Sequence, residues 1–406
     1  MRLKAFITAS ALALISTGCA STERSSSALV FDDAFVSDVI DVKEKHLSPD
    51  YWIKPSMDKV LMSGAEIEAF NAANIAREKY LYDIRNQPAS LTRDELTKRL
   101  RSISKKPGYP RVYMDGTRLT DSDFARYERM LNLGAIRQSN AVRYALAVRR
   151  TSIRTYPTAD LLFSHDATDR DIERFQESVL FPGDEMLVLH ESTDGQWALI
   201  QSFNYIAWVP LADIAIGARE DVFGYGQTDN FLMITGDKVE TVFNPEVAAV
   251  SELQVDMGVK LPLSRPDNLA SDLYGQNPYA NHMVLLPVRK NDGTLDFKYA
   301  LIQRNKDVRV GYLPYTEANI VKQSFKFLGE RYGWGHRFNG RDCTGFVSEI
   351  YRTFGIKLPR NSGDQRDSDT GITDRFKRGE DYDEKLARLE NAKVGDLVYI
   401  PGHVLM

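Results

Sequence analysis

The sequence predicts a multidomain α+β protein, with a helical N-terminal region, two small β barrels in tandem and a C-terminal domain of mixed helices and strands. Three observations predict this architecture. Capping signals and helical spacing of apolar residues mark residues 30–135. A repeat of short apolar runs fills residues 136–318, and an amphipathic helix followed by short strands occupies residues 319–406.

The composition is that of an ordinary globular protein. Of the 406 residues, 43% are hydrophobic and 27% charged, which excludes long disorder, collagen and a membrane protein with many spans. The net charge of −4 gives no basic footprint for nucleic acid. Cys19 and Cys343 are the only cysteines, so neither an intrachain disulfide framework nor a cysteine-rich zinc site can form. The six histidines lack paired ligand spacing, and no metal or organic cofactor is indicated.

Residues 1–18 have the pattern of an export signal. Arg2 and Lys4 precede an apolar run over residues 5–15 that is too short to cross a bilayer. We therefore expect the body of the protein to function outside the cytoplasm.

Small residues lead directly to Cys19, and this segment resembles the cleavage box of bacterial lipoproteins. The resemblance implies that Cys19 becomes the lipidated first residue of the mature chain and that residues 19–29 form a Ser-rich tether. Ala20 favours the periplasmic face of the outer membrane in an organism with two membranes. The alternative is a plain signal peptide with an incidental cysteine.

Two capping boxes begin helices within residues 30–135. Residues 63–66 read Ser-Gly-Ala-Glu, and the helix that follows is expected to run to about Arg85. Residues 92–95 read Thr-Arg-Asp-Glu and open a shorter helix.

An internal repeat divides the middle of the chain into modules at residues 136–216 and 217–318. Trp-Ala-Leu-Ile-Gln at 197–201 recurs as Tyr-Ala-Leu-Ile-Gln at 299–303. Two more pairs match in the same order: Met-Leu-Val-Leu at 186–189 with Met-Val-Leu-Leu at 283–286, and Ala-Trp-Val-Pro at 207–210 with Gly-Tyr-Leu-Pro at 311–314. Each copy resembles the bacterial SH3 module, and one long β sandwich is the weaker alternative.

Cys343 begins an amphipathic helix for which Asp342 is the predicted N-cap. The unpaired N–H groups and the positive dipole end of a helix start favour thiolate over thiol, so a lowered pKa is expected. The alternative is a small buried hydrophobic residue. A nucleophilic cysteine needs a base, and His403, after a turn between two short strands, is the candidate. Its alternative is a surface histidine.

Four ordered motifs resemble the NlpC/P60 family of papain-like cysteine peptidases. They are Tyr-x-Trp-Gly at 332–335, Asp-Cys-Thr-Gly-Phe at 342–346, Leu-Pro-Arg-x-Ser-x-x-Gln at 358–365, and Gly-Asp-Leu at 395–397 followed by Gly-His-Val at 402–404. The resemblance implies a cysteine-bearing helix packed on an antiparallel sheet in residues 319–406. It also implies hydrolysis, through a Cys thioester, of the γ-D-glutamyl–diamino acid (diaminopimelate) bond of peptidoglycan stem peptides.

The resemblance also assigns catalytic roles. Cys343 is the nucleophile, His403 the base, and the Tyr332 hydroxyl supports the oxyanion together with the Cys343 N–H. In relatives with SH3 modules, an Asp before the cysteine and a tyrosine of the first module bind the free amino end of the stem peptide, an L-Ala. Those residues correspond here to Asp342 and Tyr205.

Other positions either extend or depart from the family pattern. Thr344 and Ser362 match positions that line the same pocket. His336 stands where a second glycine is usual, which affects the expected loop conformation. The sequence ends three residues after His403, where relatives continue with further strands and a residue that orients the base. We therefore expect an incomplete catalytic domain.

Two other functions remain open. An incomplete domain could be inert, which would leave a lipoprotein that only binds peptidoglycan through its SH3 modules. The same Cys/His geometry also serves acyltransferases and amidases.

Overall fold

The computed structural model describes residues 35–77, 79–165, 170–266, 272–368, 371–377 and 379–406. The leader, Cys19 and the tether therefore lie outside the described residues. The chain divides into two compact units, residues 1–44 and 45–406, and the features below belong to the second unit. In the part of the chain that the structure covers, every helix is too short or too polar to cross a membrane.

Helices dominate the N-terminal region. The helices are Pro49–Trp52 (α1), Gly64–Ala76 (α2), Arg93–Ile103 (α3) and Asp121–Met130 (α4), and the strands are Val60–Met62 (β1), Ser90–Thr92 (β2), Arg111–Tyr113 (β3) and Ser139–Ala141 (β4). Both predicted capping boxes are confirmed, with Ser63 and Thr92 as the N-caps of α2 and α3.

Helix α2 ends at Ala76, so the predicted extension to Arg85 is wrong. The chain beyond α2 packs against the neighbouring module instead. Leu81 is buried, and the Tyr82 N–H donates to the carbonyl of Phe203. Tertiary contacts thus override the local helical pattern.

The first module is built on a seven-stranded antiparallel sheet in the order β12-β5-β9-β10-β11-β6-β8. Its strands are Arg143–Ala147 (β5), Thr151–Arg154 (β6), Gln176–Leu180 (β8), Glu185–Glu191 (β9), Trp197–Gln201 (β10), Ile206–Pro210 (β11) and Ile214–Gly217 (β12), while Leu162–Ser164 (β7) pairs with β3. Trp208 is fully buried in its core and donates its indole N–H to the Ser104 hydroxyl at 2.9 Å.

The second module follows helix Arg219–Tyr225 (α5). Its strands are Phe231–Ile234 (β13), Lys238–Glu240 (β14), Gln254–Asp256 (β15), Lys260–Pro262 (β16), Asn281–Arg289 (β17), Leu295–Gln303 (β18) and Val308–Val310 (β19). Two of the three repeated segments occupy equivalent antiparallel pairs, β9 with β10 in the first module and β17 with β18 in the second. The third segment lies in β11 in the first module, but residues 311–314 of the second module form no strand. The exact module boundaries stay predictions.

The C-terminal region combines helices with a short hairpin, so the predicted mixed α+β fold is confirmed. After strand Tyr315–Thr316 (β20), the helices are Glu317–Phe325 (α6), Cys343–Arg352 (α7), Ser362–Asp367 (α8) and Tyr382–Leu389 (α9), and the strands are Val398–Ile400 (β21) and His403–Leu405 (β22). Strands β21 and β22 are antiparallel, and Val404 shares the core of α7 residues Val347 and Ile350.

Candidate active site

Cys343 is the first residue of α7, as predicted. The Asp342 carboxylate caps the helix by accepting the Gly345 N–H at 2.7 Å, which confirms its N-cap role. The buried side chains of Val347 and Ile350, four and seven residues after Cys343 on the same side of the helix, hold this side in the core. The sulfur is therefore fixed at a helix start and remains partly accessible.

The expectation of a lowered Cys343 pKa is wrong. Burial raises the pKa of the thiol, and the charge of Asp342 raises it further. The backbone N–H groups of Val404 and Thr344 point at the sulfur and only partly offset this. A helix start thus supplies donors, but the neutral thiol is favoured until a base or cation acts on it.

His403, the first residue of β22, directly precedes Val404, whose N–H points at the sulfur. The contact between Val404 and the sulfur brings β22 to the start of α7, which is where a base is needed. The role of His403 as that base stays a prediction.

Tyr332 lies beside the nucleophile. The Cys343 N–H lies near the Tyr332 hydroxyl, and Tyr332 pairs with Arg341 in a parallel bridge. Burial and the charge of Asp342 raise the pKa of Tyr332, so its hydroxyl keeps its proton and can donate it. Two donors, the amide of Cys343 and this hydroxyl, thus converge beside the sulfur.

A buried ion pair lies beneath the start of α7. The Arg360 guanidinium donates to the Asp342 carboxylate at 2.7 Å, to the Thr344 hydroxyl at 2.5 Å and to the Ser178 hydroxyl of β8 at 2.6 Å. Burial would raise the pKa of Asp342, but Arg360 outweighs it and the value falls to about 2. Arg360 therefore ties the first module to the residue before the nucleophile.

A second carboxylate, Glu177 of β8, faces Tyr205. It accepts the Tyr205 hydroxyl and the Thr155 hydroxyl, each at 2.5 Å, and burial raises its pKa. Across the described ranges, no lysine or arginine nitrogen lies within 4.0 Å of this carboxylate, although the charge of Arg360 acts on it from farther away. Sequence reasoning missed Glu177, and the available signal was a polar run at 176–178 inside a buried strand.

His336 belongs to a buried network that the sequence did not predict. It adopts a left-handed conformation, with φ 64°, and is 4% exposed. Its Nε2 lies 2.8 Å from the Glu349 carboxylate and its Nδ1 lies 3.3 Å from Arg360 Nη2. Because Arg360 can only donate, we assign the proton to Nε2, which donates to Glu349. Arg341 completes the network with a bond to Glu349 at 2.5 Å.

Comparison with known proteins agrees with this arrangement. The sequence profile of the NlpC/P60 family matches residues 329–406, and that of the SH3 domain (SH3b1 type) matches residues 162–210. The chain contains an NlpC/P60 domain. Both resemblances predicted from the motifs are confirmed over these segments, while the SH3 character of the second module stays a prediction.

Individual relatives cover parts of the chain. The gamma-D-glutamyl-L-lysine dipeptidyl-peptidase of Bacillus cereus is 28% identical over 169 residues, which are 40% of this chain and 43% of that protein. The probable endopeptidase p60 of Listeria innocua is 35% identical over 83 residues, which are 20% of this chain and 14% of that protein. The chain thus spans less than half the length of these curated relatives.

A solved structure shares the fold over more of the chain. It is an NlpC/P60 endopeptidase from Photobacterium damselae subsp. piscicida, with a TM-score of 0.61 and 20% identity. The match covers 78% of this chain and 69% of that one. The similarity in fold to this structure therefore extends well beyond the NlpC/P60 domain.

The predicted site residues occupy distinct positions around this domain. Tyr332, Asp342 and Thr344 surround the start of α7, and Tyr205 donates to Glu177, with which Arg360 also interacts electrostatically. Ser362 begins α8, and the side chain of its N-cap, Asn361, interacts with Tyr205. The assignment of these residues to substrate stays a prediction.

Glu349 makes the stability of the NlpC/P60 domain sensitive to acid. Burial opposes its ionisation, but Arg341 and His336 outweigh burial and lower its pKa from the usual 4.5 to about 2. A carboxylate with a depressed folded-state pKa stabilises the protein above its unfolded pKa and loses that contribution as pH falls through the folded value. We expect the free energy of unfolding to fall between pH 4.5 and about 2, with this carboxylate contributing on the order of 3 kcal/mol.

Urea denaturation at a series of pH values measures this. Glu349→Gln should be less stable at neutral pH and should show a shallower loss of stability in acid. Glu240→Gln, an exposed position on β14, is the matched control and should follow the wild type. Equal slopes in the Glu349 variant and the wild type would contradict the prediction.

Proposed function

We propose that this protein is a cysteine peptidase that hydrolyses the γ-D-glutamyl–diamino acid bond of peptidoglycan stem peptides whose terminal amine is free. The observation that carries the proposal is the Glu177 carboxylate, which faces Tyr205 and interacts electrostatically with Arg360, the ion-pair partner of Asp342 beside the nucleophile. Glu177 is held by two hydroxyl donors and has no direct cation partner among the described side chains. The name of the Bacillus cereus relative supports the same bond class.

The nucleophile acts through a base. In this mechanism His403 takes the proton of the Cys343 thiol, and the thiolate attacks the γ-carbonyl to form a C–S bond in a tetrahedral intermediate. His403 then gives the proton to the amine as the C–N bond breaks, which leaves a thioester that water hydrolyses to the acid and the free thiol. Because burial raises the pKa of Cys343, the thiolate depends on this base and is not free at rest.

The oxyanion would lie between the Cys343 N–H and the Tyr332 hydroxyl. The raised pKa of Tyr332 keeps its proton available for donation. Such donors stabilise the charge that develops in the transition state more than the neutral carbonyl of the substrate.

The stem peptide would enter with its ammonium toward Glu177. An ammonium supplies three N–H donors and one positive charge, which this carboxylate, held by hydroxyls alone, accommodates. Arg360, at 2.7 Å, already neutralises the charge of Asp342. Asp342 would therefore contribute a hydrogen bond to the ammonium more than a free negative charge. Thr344 and Ser362 would line the pocket beside it.

We also propose export and lipid anchoring through Cys19, which places the catalytic body at the cell wall. The apolar leader and the small residues before Cys19 support this.

A mass-spectrometric cleavage assay tests the proposed function. Purified residues 20–406 are incubated with L-Ala-γ-D-Glu-diaminopimelate, with the N-acetylated peptide, and alongside Cys343→Ala as a control for contaminating peptidases. We expect L-Ala-D-Glu from the free peptide only, and none from the variant. Absence of cleavage, cleavage by Cys343→Ala, or equal cleavage of the acetylated peptide would each contradict a part of the proposal.

A further inference from the structure

A cavity of about 270 Å³ lies where the N-terminal region, both modules and the NlpC/P60 domain meet. Its lining is rich in charge and includes residues from all four segments. Apart from the network of Arg360, His336 and Glu349 described above, the basic residues are Arg85, Lys260, Arg352 and Lys357, and the acidic residues are Asp83, Asp184 and Glu185.

The acidic residues of the cavity are already engaged. Glu185 pairs with Arg85 at 2.7 Å, and Asp184 pairs with Arg352 at 2.9 Å. The Asp83 carboxylate accepts the backbone N–H groups of the turn that follows it. These contacts leave the charges of the two lysines without an acidic partner of their own.

Neither lysine forms an ion pair within the described ranges. The charge of Lys357 interacts with one acid, Glu185, and with three cations, Arg85, Arg352 and Lys260. Lys260 is better compensated, because three acids, Asp229, Glu185 and Glu68, act on it against one cation, Arg85. Asp229 and Glu68 are exposed, so water and salt screen their effect.

The lysine donors are also underused. An ammonium has three N–H donors. Lys260 uses one, on the Gly226 carbonyl at 2.9 Å, and lies 4.2 Å from the Phe231 ring centroid. Lys357 makes no side-chain hydrogen bond within the described structure, and its ammonium lies 5.5 Å from the Phe203 ring centroid.

Lys357 combines accessible surface with a desolvated setting. The residue is exposed, yet burial is the main cause of its lowered pKa, and burial lowers the pKa of Lys260 as well. Both lysines line the same cavity and carry partly desolvated charge there. Such a place favours a bound counter-ion over an empty space.

We propose that this cavity binds a small oxyanion between Lys260 and Lys357. The surroundings of Lys357 leave its positive charge without a full counter-charge, and oxyanion oxygens accept the unused N–H donors of both lysines. Phosphate and a short dicarboxylate share this chemistry. The bound anion links the second module to the segment after α7, independently of whether the proposed peptidase activity is correct.

Thermal unfolding of the full chain tests the site. The melting temperature is compared in sodium chloride, inorganic phosphate and malonate at matched ionic strength and pH. We expect phosphate, malonate or both to raise it by about 3 °C or more over chloride. The two anions distinguish a tetrahedral phosphate ligand from paired carboxylates, and a response to neither overturns the proposal.

Variants separate an anion site from a structural role. Lys357→Gln should lose the anion response and melt higher than the wild type in chloride, because one repelling charge is gone. Lys260→Gln should also lose the response. Lys322→Gln, an exposed position on α6, should respond like the wild type. An undiminished response in both cavity variants, or a lower melting temperature of Lys357→Gln in chloride with the response intact, overturns the proposal.

Discussion

Replacing Arg360 by methionine is expected to lower the free energy of unfolding by about 3–5 kcal/mol, because it leaves a buried charge unpaired. Arg360 is 6% exposed, and the carboxylate of Asp342 at 2.7 Å is its direct ion-pair partner. Methionine fills a similar volume but donates to neither Asp342 nor Ser178. Urea denaturation at neutral pH measures the loss.

The same variant is expected to lose activity by at least about 10²-fold, because a small displacement of a catalytic group is costly. Arg360 holds the N-cap of the Cys343 helix, so its loss should reduce kcat more than it raises KM. Arg360→Lys keeps the charge but cannot make the bonds to Asp342, Thr344 and Ser178 together, and should lie between wild type and methionine.

Arg366→Met is the matched control. Arg366 is an exposed residue of α8 whose guanidinium pairs with the adjacent Asp367. Surface pairs of this kind contribute about 0–1 kcal/mol. A stability loss of the same size in both variants would contradict the importance assigned to the buried pair.

The parts of the fold that the sequence predicted depend on local chemistry. The capping boxes that begin α2 and α3 are complete within four residues, so each helix start can be read from its own segment. The start of α7 at Cys343 follows equally from Asp342 and the apolar spacing after it. The repeat was visible because its two copies preserve the strand pattern of β10 and β18.

The end of α2 and the pKa of Cys343 were missed because distant contacts decide them. Helix α2 stops at Ala76 since the following segment bonds to Phe203 of the first module. The helix dipole at Cys343 is a local property, but the burial that raises its pKa depends on how the folded chain packs around the thiol. Helix position alone therefore does not give the charge state of a thiol.

The charged network under the site was missed for the same reason. Arg360 lies in a recognised motif, but its partners Asp342 and Ser178 come from another helix and from the first module. The place of Glu177 in the site is evident only in the folded chain, where the hydroxyls of Tyr205 and Thr155 donate to its carboxylate. His336, which departs from the family pattern, fits because Glu349 supplies a buried acceptor.

Glu177→Gln is expected to lower kcat/KM for the free-amine tripeptide by about 10²–10³-fold, since a desolvated ammonium loses its counter-charge. Glutamine preserves the shape and can still accept one of the two hydroxyls, which donate to different carboxylate oxygens, while the other hydroxyl must turn to accept from the new NH2 group. The N-acetylated peptide carries no ammonium, so its slow turnover, if measurable, should change little. Steady-state cleavage of both peptides gives the selectivity ratio.

Glu191→Gln controls for loss of a carboxylate in the same module. Glu191 forms a surface pair with Arg143 and should affect neither peptide. Equal losses on free and acetylated peptides in Glu177→Gln would remove Glu177 from amine recognition.

The free energy of unfolding tests the role of Glu177 independently of activity. Burial raises the pKa of Glu177, so its ionised form costs folding free energy in the free protein. Glu177→Gln should therefore unfold at the same or a higher urea concentration while losing activity. A carboxylate kept for structure would show the opposite pattern, with lower stability and equal effects on both peptides. The combination of unchanged or greater stability with lost selectivity would identify Glu177 as a group held in a costly state for the substrate ammonium.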